Sequence, residues 1–389
     1  MGRQIKPRRH LSISLTRLGK PLVQVSDTAA VVFERIAFEN SRERGVVMTN
    51  SANCEIRACL FRNLGRNAVD ITGGSKCGVV STEVYDTGAG GVNLDGGDRK
   101  TLTPSAHYVR NCEFHHFNRI EKTYRPAVDF KGVGQILSHS YIHHSDAGMI
   151  LFAGNDHLIE YNEFAYGMQH ADEMGAIYTG RDPSACGTVI RYNYFHHMGS
   201  QLGGCGTECI SFDDGSGFCR IYGNVFYKSA DGHIGGNGAV GLRIENNVFI
   251  RNKRPIKISN WGSGWHEWVR GKGRKQSHNI PDKIFNDTVN ILEPPYSTRY
   301  PELVEMYHSG PKADRFKSNK IVTNVFVDEP LGKLPDPAKN LALKGDPGFE
   351  NMAQENFTLK NDSVVFEKLP DFKPIPFEKI GLQRDEYRK

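Results

Sequence analysis

Carboxylates gather in two short stretches of similar pattern. The segments "DEMGAIYTGRD" (172–182) and "ECISFDDGSG" (208–217) each combine a short apolar run with acidic residues. The acids that we single out are Asp172, Glu173, Asp182, Asp213 and Asp214. Two carboxyl groups roughly 5–9.5 Å apart can cleave a glycosidic bond, and crowding raises the pKa of one so that it can serve as the acid. The alternative is a solvated acidic corner whose aspartates cap turns.

A sequence repeat places these stretches. Similar segments such as "VIRYNYFHH" (189–197) and "RIENNVFIR" (243–251) recur with a base step of 22 to 23 residues, lengthened by insertions. The apolar residues that anchor them are Phe38, Phe61, Val84, Phe114, Ile142, Phe164, Phe195, Phe226, Phe249 and Phe326. Apolar residues alternate within each segment, and a second short strand such as "AVDITGG" accompanies most of them. The pattern predicts an all-β fold, a right-handed parallel β-helix of roughly ten turns.

An asparagine stands two residues before the anchor in five of the turns. These residues are Asn162, Asn193, Asn224, Asn247 and Asn324. Identical side chains stacked on one another can hydrogen-bond along the stack, so we expect a structural asparagine ladder.

Alignment of the accompanying strands gives a predicted site. Matching their inward apolar residues places Tyr178 under Phe212 and Thr179 under Asp213, so that Asp213 projects outward from its strand. Glu173 would approach from a loop, and the insertions would wall a groove over these strands. We expect substrate contacts from Asn155, His157, Tyr178, Arg181, Asp182, Lys257 and Trp261.

Histidine pairs and tryptophans are less specific signals. "HH" follows the anchor at 115–116, 143–144 and 196–197. Adjacent residues of a straight strand point to opposite faces, so we expect these pairs to serve turn geometry and predict no metal site. Trp261, Trp265 and Trp268 have the spacing of one helix face, and an aromatic platform for a sugar ring is the alternative.

Composition excludes several functional classes. The net charge is only +5 for 389 residues, and the basic runs at the N-terminus and at 251–275 accompany no recognition motif, so we expect no nucleic-acid partner. No apolar window approaches the roughly 20 residues of a membrane span. The basic N-terminus lacks the apolar segment of a secretory signal. We expect a monomer.

The repeat also defines a domain organisation. Residues 1–28 form an N-terminal segment that we interpret as a shortened cap, since the chain begins within the stack. Residues 29–350 form the β-helix, with an insertion at about 260–318. Residues 351–389 include "DFKPIPFEKIGLQRDEYRK" and are expected to pack along the solenoid as an extended tail.

Several motifs together resemble a known family. "YRPAVDFKGVG" (124–134), "ILFAGNDHLIEYNE" (150–163), "GAIYTGRD" (175–182) and "FDDGSG" (212–217) are similar to the bacterial right-handed β-helix proteins grouped with glycoside hydrolase family 141. The resemblance covers the chain from about residue 20. It implies a secreted or periplasmic carbohydrate-active enzyme, with activities in the family that include α-L-fucosidase and xylanase.

The resemblance also implies catalytic residues. One acid precedes "GAIY" and the other belongs to "DD" of the next turn, which selects Glu173 and either Asp213 or Asp214. The family usually has Asp where this chain has Glu173, so Asp172 is the substitute.

Two other functions compete with glycoside hydrolysis on this fold. A polysaccharide lyase or epimerase would need a base such as Lys131, Arg181 or Lys257 and neutralisation of a uronate, commonly by Ca²⁺. No other cofactor is expected. A non-catalytic glycan-binding β-helix is the third interpretation.

Overall fold

Three parallel β-sheets form the walls of one solenoid. The structure, a computed structural model, describes residues 14–388 except 201, 203, 230, 253 and 273–277. The part of the predicted N-terminal segment before residue 14 therefore lies outside the described residues. Each turn of the solenoid contributes one strand to each sheet, and every strand of these three sheets pairs in parallel with the strand one turn away. The predicted parallel β-helix is confirmed.

The strands are short, and their bounds follow the repeat. The first sheet contains Val23–Ser26, Val46–Thr49, Val69–Thr72, Val92–Gly96, Val128–Gly132, Ile150–Phe152, Met174–Gly180, Thr207–Asp213, Gly232–Asn237 and Ile256–Ser259. The second contains Val32–Glu34, Glu55–Arg57, Gly78–Val80, Tyr108–Arg110, Ile136–Ser138, Leu158–Glu160, Val189–Arg191, Arg220–Tyr222, Arg243–Glu245 and Lys320–Val322. The third contains Ala37–Ser41, Leu60–Leu64, Glu83–Thr87, Glu113–His115, Tyr141–His143, Glu163–Ala165, Tyr194–Met198, Val225–Ser229, Val248–Ile250, Val325–Val327 and Leu341–Leu343.

The anchor residues stack inside the third sheet in the predicted register. Phe164 pairs with Phe195, Phe195 with Phe226, and Phe226 with Phe249. Their ring centroids are 4.8, 4.9 and 5.0 Å apart, close to the spacing of neighbouring strands. All four rings are fully buried. The repeat thus fills the core with one column of stacked rings.

The asparagine ladder is confirmed. The amide nitrogen of Asn162 donates to Oδ1 of Asn193 at 3.0 Å, and Asn193 donates in the same way to Asn224. The chain of bonds continues through Asn247 and Asn324 and ends at Asn340, which the sequence pattern did not include. Each side-chain amide also hydrogen-bonds to backbone groups at the turn between the second and third sheets. Without the amide, these buried backbone groups would have no partners.

Helices lie outside the solenoid. The helices α1 to α5 are Gly264–Trp268, Ile280–Ile284, Tyr296–Arg299, Pro301–His308 and Val364–Lys368. Short 3₁₀ helices occupy Arg315–Ser318, Pro337–Lys339, Met352–Gln354 and Phe377–Lys379, and an antiparallel pair joins Phe349–Asn351 to Asn356–Leu359. The first four helices lie between the last strands of the first and second sheets and pack their own apolar cluster around Trp265, Trp268 and Tyr296.

The C-terminal tail packs against the third sheet. Phe357 and Phe372 join an apolar cluster with Tyr194 and Tyr227 on the outer face of that sheet. The first solenoid strand begins at Val23, within the segment that we predicted to precede the solenoid. Across the described ranges, no helix has the length and apolarity needed to cross a membrane.

Candidate active site

A cleft of about 270 Å³ lies over the outer face of the first sheet. Its floor is formed by the strands Met174–Gly180, Thr207–Asp213, Gly232–Asn237 and Ile256–Ser259. The side chains that line it are Glu173, Tyr178, Cys205, Glu208, Ser211, Asp213, Asn237, Lys257 and Ser259. The structure therefore brings together four of the predicted site residues: Glu173, Tyr178, Asp213 and Lys257.

The register of the two acidic strands differs by one residue from our alignment. Tyr178 pairs with Ser211, Thr179 with Phe212 and Gly180 with Asp213. The predictions that Tyr178 lies under Phe212 and Thr179 under Asp213 were therefore wrong. Tyr178 faces outward, and Thr179 occupies the inward column at 3% exposure. A tyrosine ring fits the apolar pattern of the core, but its hydroxyl group needs a polar partner, which only the outer face supplies.

Asp213 is held firmly at the end of its strand. The Tyr178 hydroxyl group donates a hydrogen bond to Oδ2 at 2.7 Å. The backbone N–H of Asp214 and the amide of Asn237 donate to Oδ1 at 2.8 and 3.3 Å. Three donors thus fix the orientation of the carboxylate while it borders the cleft.

Glu208 is a site residue that the sequence analysis missed. Its side chain lies over Gly235, where an added Cβ would come within 2.5 Å of Cγ and Cδ of Glu208. Burial raises the pKa of Glu208 to about 7; Lys257 opposes this shift, and Asp231 adds to it. A signal was present, since Glu208 opens the stretch "ECISFDDGSG", but the paired aspartates at the other end form the more conspicuous acidic pattern.

Glu173 and Asp172 differ in their surroundings. Glu173 is exposed at the mouth of the cleft and directly precedes its strand, with a left-handed φ of 52°. Asp172 accepts hydrogen bonds from the backbone N–H groups of Cys205 and Gly206 at 3.0 and 2.8 Å. These bonds lower the pKa of Asp172. Asp172 thus holds the neighbouring loop, and Glu173 remains open to a ligand.

Asp214 lies beneath the cleft and is not among its lining residues. It is only 2% exposed, and φ is 43° at this residue, so the backbone leaves the strand conformation here. Nε of Arg181 and Nδ2 of Asn237 donate to its carboxylate at 3.1 and 2.9 Å. Asp214 and Arg181 therefore support the strand end.

Asn155, His157 and Asp182 are not brought to the cleft. Oδ1 of Asn155 accepts from Nε of Arg99 at 2.9 Å and from the Tyr296 hydroxyl group at 3.1 Å. Asp182 accepts from Nη1 of Arg99 at 3.4 Å at the same corner, near helix α3.

His157 is 1% exposed and bonds through Nε2 to the Ala153 carbonyl group at 3.0 Å. Burial lowers the pKa of His157 to about 4. With both ring nitrogens engaged by backbone groups, it serves the core of the solenoid.

Lys257 and Trp261 border the far side of the site. Lys257 is exposed and pairs in register with Gly235, next to the Glu208 side chain. The Trp261 indole N–H donates to Oδ1 of Asn237 at 2.9 Å, and the ring meets Trp268 edge-on at 5.7 Å. Trp261 therefore orients an amide that contacts Asp213, and it precedes helix α1 instead of belonging to it.

A larger cleft of about 780 Å³ lies between the second sheet and the insertion. Two of its acids form ion pairs, Asp156 with Arg299 at 3.4 Å and Glu302 with Arg243 at 2.5 Å. The smaller cleft over the first sheet combines an oriented carboxylate, Asp213, with one whose pKa is raised by burial, Glu208, and we select it as the candidate site for this reason.

Comparison with known proteins agrees with this architecture. The family described as the right-handed beta helix region matches residues 21–105 and 67–266, which together make up more than half of the chain. The fold and the site thus define the class of this protein, a β-helix with an acidic cleft over one sheet. The chain belongs to the right-handed β-helix family. Among curated proteins, none matches the chain.

Solved structures show likeness at low identity. The solved structure of a glycoside hydrolase is 16% identical with a TM-score of 0.42, over 52% of this chain and 38% of its own. A lacto-N-biosidase of family GH136 from Eubacterium ramulus is 14% identical with a TM-score of 0.34, over 56% of this chain and 48% of its own. A PL6 polysaccharide lyase from Pseudopedobacter saltans is 10% identical with a TM-score of 0.43, over 93% of this chain and 99% of its own. The chain spans less than half the length of the first two.

Proposed function

We propose that this protein is a glycoside hydrolase that acts on a polysaccharide or oligosaccharide bound along the first sheet. The observation that carries the proposal is the contrast between two carboxyl groups in one cleft. Burial raises the pKa of Glu208 to about 7, whereas three hydrogen-bond donors orient Asp213. Because burial favours the protonated form of Glu208, the two carboxyl groups can take different roles in catalysis, one as an acid and the other as a carboxylate.

The roles follow from the chemistry of glycosidic cleavage. Glu208 is the general acid: with a pKa of about 7, about half of the molecules carry its proton at neutral pH, ready for the leaving oxygen. Asp213 is the partner carboxylate, which either activates a water molecule or attacks the sugar directly. The anomeric configuration of the first product distinguishes these two cases.

Other residues of the site have supporting roles in this proposal. Glu173, with Asp213, belongs to the pair that the family resemblance implies, and its exposed carboxylate at the mouth of the cleft is placed to contact a sugar. Tyr178 holds Asp213 at 2.7 Å, and Lys257 lies beside Glu208. Asp214, Arg181 and Asp172 position the backbone around the cleft. The reaction needs no cofactor.

The resemblance to glycoside hydrolase family 141 suggests the substrate class and location. We propose a fucosidase- or xylanase-like activity on a polysaccharide or oligosaccharide, in a bacterial protein that works outside the cytoplasm. These assignments rest on the motifs around "GAIYTGRD" and "FDDGSG".

Lyase chemistry is the second candidate, because Lys257 borders the same cleft. A lyase removes the proton next to a uronate carboxylate and leaves an unsaturated sugar end. The lysine would then be the base, and a Ca²⁺ ion could neutralise the uronate. The ultraviolet absorbance of the unsaturated product separates this reaction from hydrolysis.

The test is an assay of the purified full chain on fucosylated oligosaccharides, xylans and uronate polymers. We expect the parent to release reducing ends without any increase in ultraviolet absorbance. The rate of this release should fall by about 10²–10⁴-fold in Glu208→Gln and in Asp213→Asn. Glu350→Gln, an exposed acid outside the cleft, is the matched control and should keep the parent rate. Full activity in both cleft variants refutes the assignment. Glycan binding without any bond cleavage supports the non-catalytic interpretation.

A further inference from the structure

Histidine pairs follow the anchor in three turns of the third sheet. In each pair the second histidine, His116, His144 or His197, has a left-handed φ of 50° or 51°. The chain therefore turns at this residue, and both rings project to the same side of the sheet. Our expectation that the two rings face opposite ways was wrong, because it assumed a straight strand.

The two rings of each pair meet through their Nδ1 atoms. The Nδ1–Nδ1 distance is 2.8 Å for His115 and His116, 2.6 Å for His143 and His144, and 2.9 Å for His196 and His197. Only one proton can lie between two such nitrogens, so one of them presents a lone pair to the other. Two imidazole nitrogens directed at a shared point form half of a transition-metal site.

A carboxylate orients the first ring of each pair. Nε2 of His196 lies 3.0 Å from Oε1 of Glu163. When Nε2 carries the proton and donates to Glu163, Nδ1 is the unprotonated nitrogen. This carboxylate–histidine arrangement is the one that fixes the tautomer of metal-binding histidines and strengthens them as ligands.

The third pair also has a carboxylate from a distant part of the chain. Glu355 belongs to the tail, and Oε1 lies 3.4 Å from Nε2 of His197. One ligand atom from each of His196, His197 and Glu355 lies within 4.8 Å of the other two. Among the residues that the structure describes, no other group of three potential ligands meets this criterion.

We propose that His196, His197 and Glu355 bind one divalent transition-metal ion, for which Zn²⁺ is the best fit. Two imidazoles and one carboxylate are a ligand set that zinc accepts, with a fourth position left to solvent. The His197 ring presents Nδ1 to His196 and Nε2 to Glu355, so one ion reaches all three ligands when this ring turns and Lys228, whose Nζ lies 3.9 Å from Oε1 of Glu355, gives up the carboxylate. Because Glu355 is part of the tail, the metal fastens the tail to the third sheet.

The test is titration of the chelator-treated full chain, free of any affinity tag, with ZnCl₂ in a calorimeter. One Zn²⁺ per chain is expected for the parent, with loss of the site in His197→Ala and in Glu355→Gln. Glu163→Gln, which removes only the orienting carboxylate, should weaken binding by about 10–100-fold. His144→Ala is the matched control, because its pair has the same geometry without a third ligand, and it should bind as the parent does.

Thermal unfolding in the presence of ZnCl₂ gives a second readout. The parent should gain thermal stability from the metal, and Glu355→Gln should have the parent's metal-free melting temperature and gain nothing. Since Glu355 lies on a partly exposed turn, this variant keeps its fold. The proposal is overturned if the parent binds no Zn²⁺, if His197→Ala or Glu355→Gln binds it as tightly as the parent, or if His144→Ala abolishes binding.

Discussion

Substitution of Glu208 by glutamine should change how stability depends on pH. The folded protein raises the pKa of this carboxyl group from 4.5 to about 7, chiefly by burial. The contribution of protonated Glu208 to folding stability is therefore fully present below about pH 4.5 and is lost as the pH rises through about 7. Glutamine keeps the shape of the side chain and cannot ionise, so Glu208→Gln should be spared this loss.

The size of the effect follows from the same pKa values. At about 1.4 kcal/mol per pH unit, a rise from 4.5 to about 7 corresponds to roughly 3 kcal/mol of unfolding free energy. Glu208 keeps partial contact with solvent and Lys257 faces it, so about 1–3 kcal/mol is a realistic range. For a chain of this length, that amounts to about 1–4 °C in melting temperature.

The assay is thermal unfolding of parent and Glu208→Gln at several pH values from about 4 to 9. The melting temperature of the variant minus that of the parent should increase across this range, mostly between about pH 5 and 8. Glu173→Gln is the matched control, because this exposed acid borders the same cleft. The melting temperature of this variant should differ little from that of the parent, and the difference should not change with pH. A difference for Glu208→Gln that does not vary with pH would refute the burial argument, and with it the choice of Glu208 as the acid.

Three further predictions concern the cleft and the ladder. Asp213→Asn should lower the hydrolytic rate by about 10²–10⁴-fold, whereas Asp95→Asn, in the same outward column several turns away, should not change it. Gly235→Ala places a methyl group 2.5 Å from the Glu208 side chain, so activity should fall while circular dichroism stays unchanged. Asn193→Ala leaves buried backbone groups without partners and should cost about 3–5 kcal/mol, seen as a melting temperature about 4–6 °C lower.

The repeat allowed the fold to be predicted in detail. Residues like Phe195 and Asn193 recur two positions apart because most turns must present a bulky apolar side chain to the core and an amide to the neighbouring turn. Because the anchor residues of neighbouring turns pair with one another in the core, the positions of the anchors in the sequence give the strand register of the third sheet. The Asn340 end of the ladder was missed because no aromatic anchor follows it; Ala342 occupies that position.

The candidate site could be predicted only in part. Asp213 and Glu173 could be selected because acids at strand ends stand out from the repeat. The outward direction of Tyr178 could not be derived, because a tyrosine satisfies the apolar pattern equally well on either face. Glu208 could not be distinguished from a solvated glutamate, since its raised pKa depends on burial over Gly235 and on the charges of the next turns.

The sequence by itself thus determined the solenoid, its step and its core column, because these are set by side chains that repeat locally. Only the tertiary structure decided which side chains meet in the cleft and around the histidine pairs. Asp214 and His197 leave the strand direction through left-handed backbone angles, and the tail returns Glu355 to a turn that lies far away in sequence. The direction of a side chain at a strand end depends on the sign of one dihedral angle and on neighbours from other turns, and the periodicity of the sequence does not encode either.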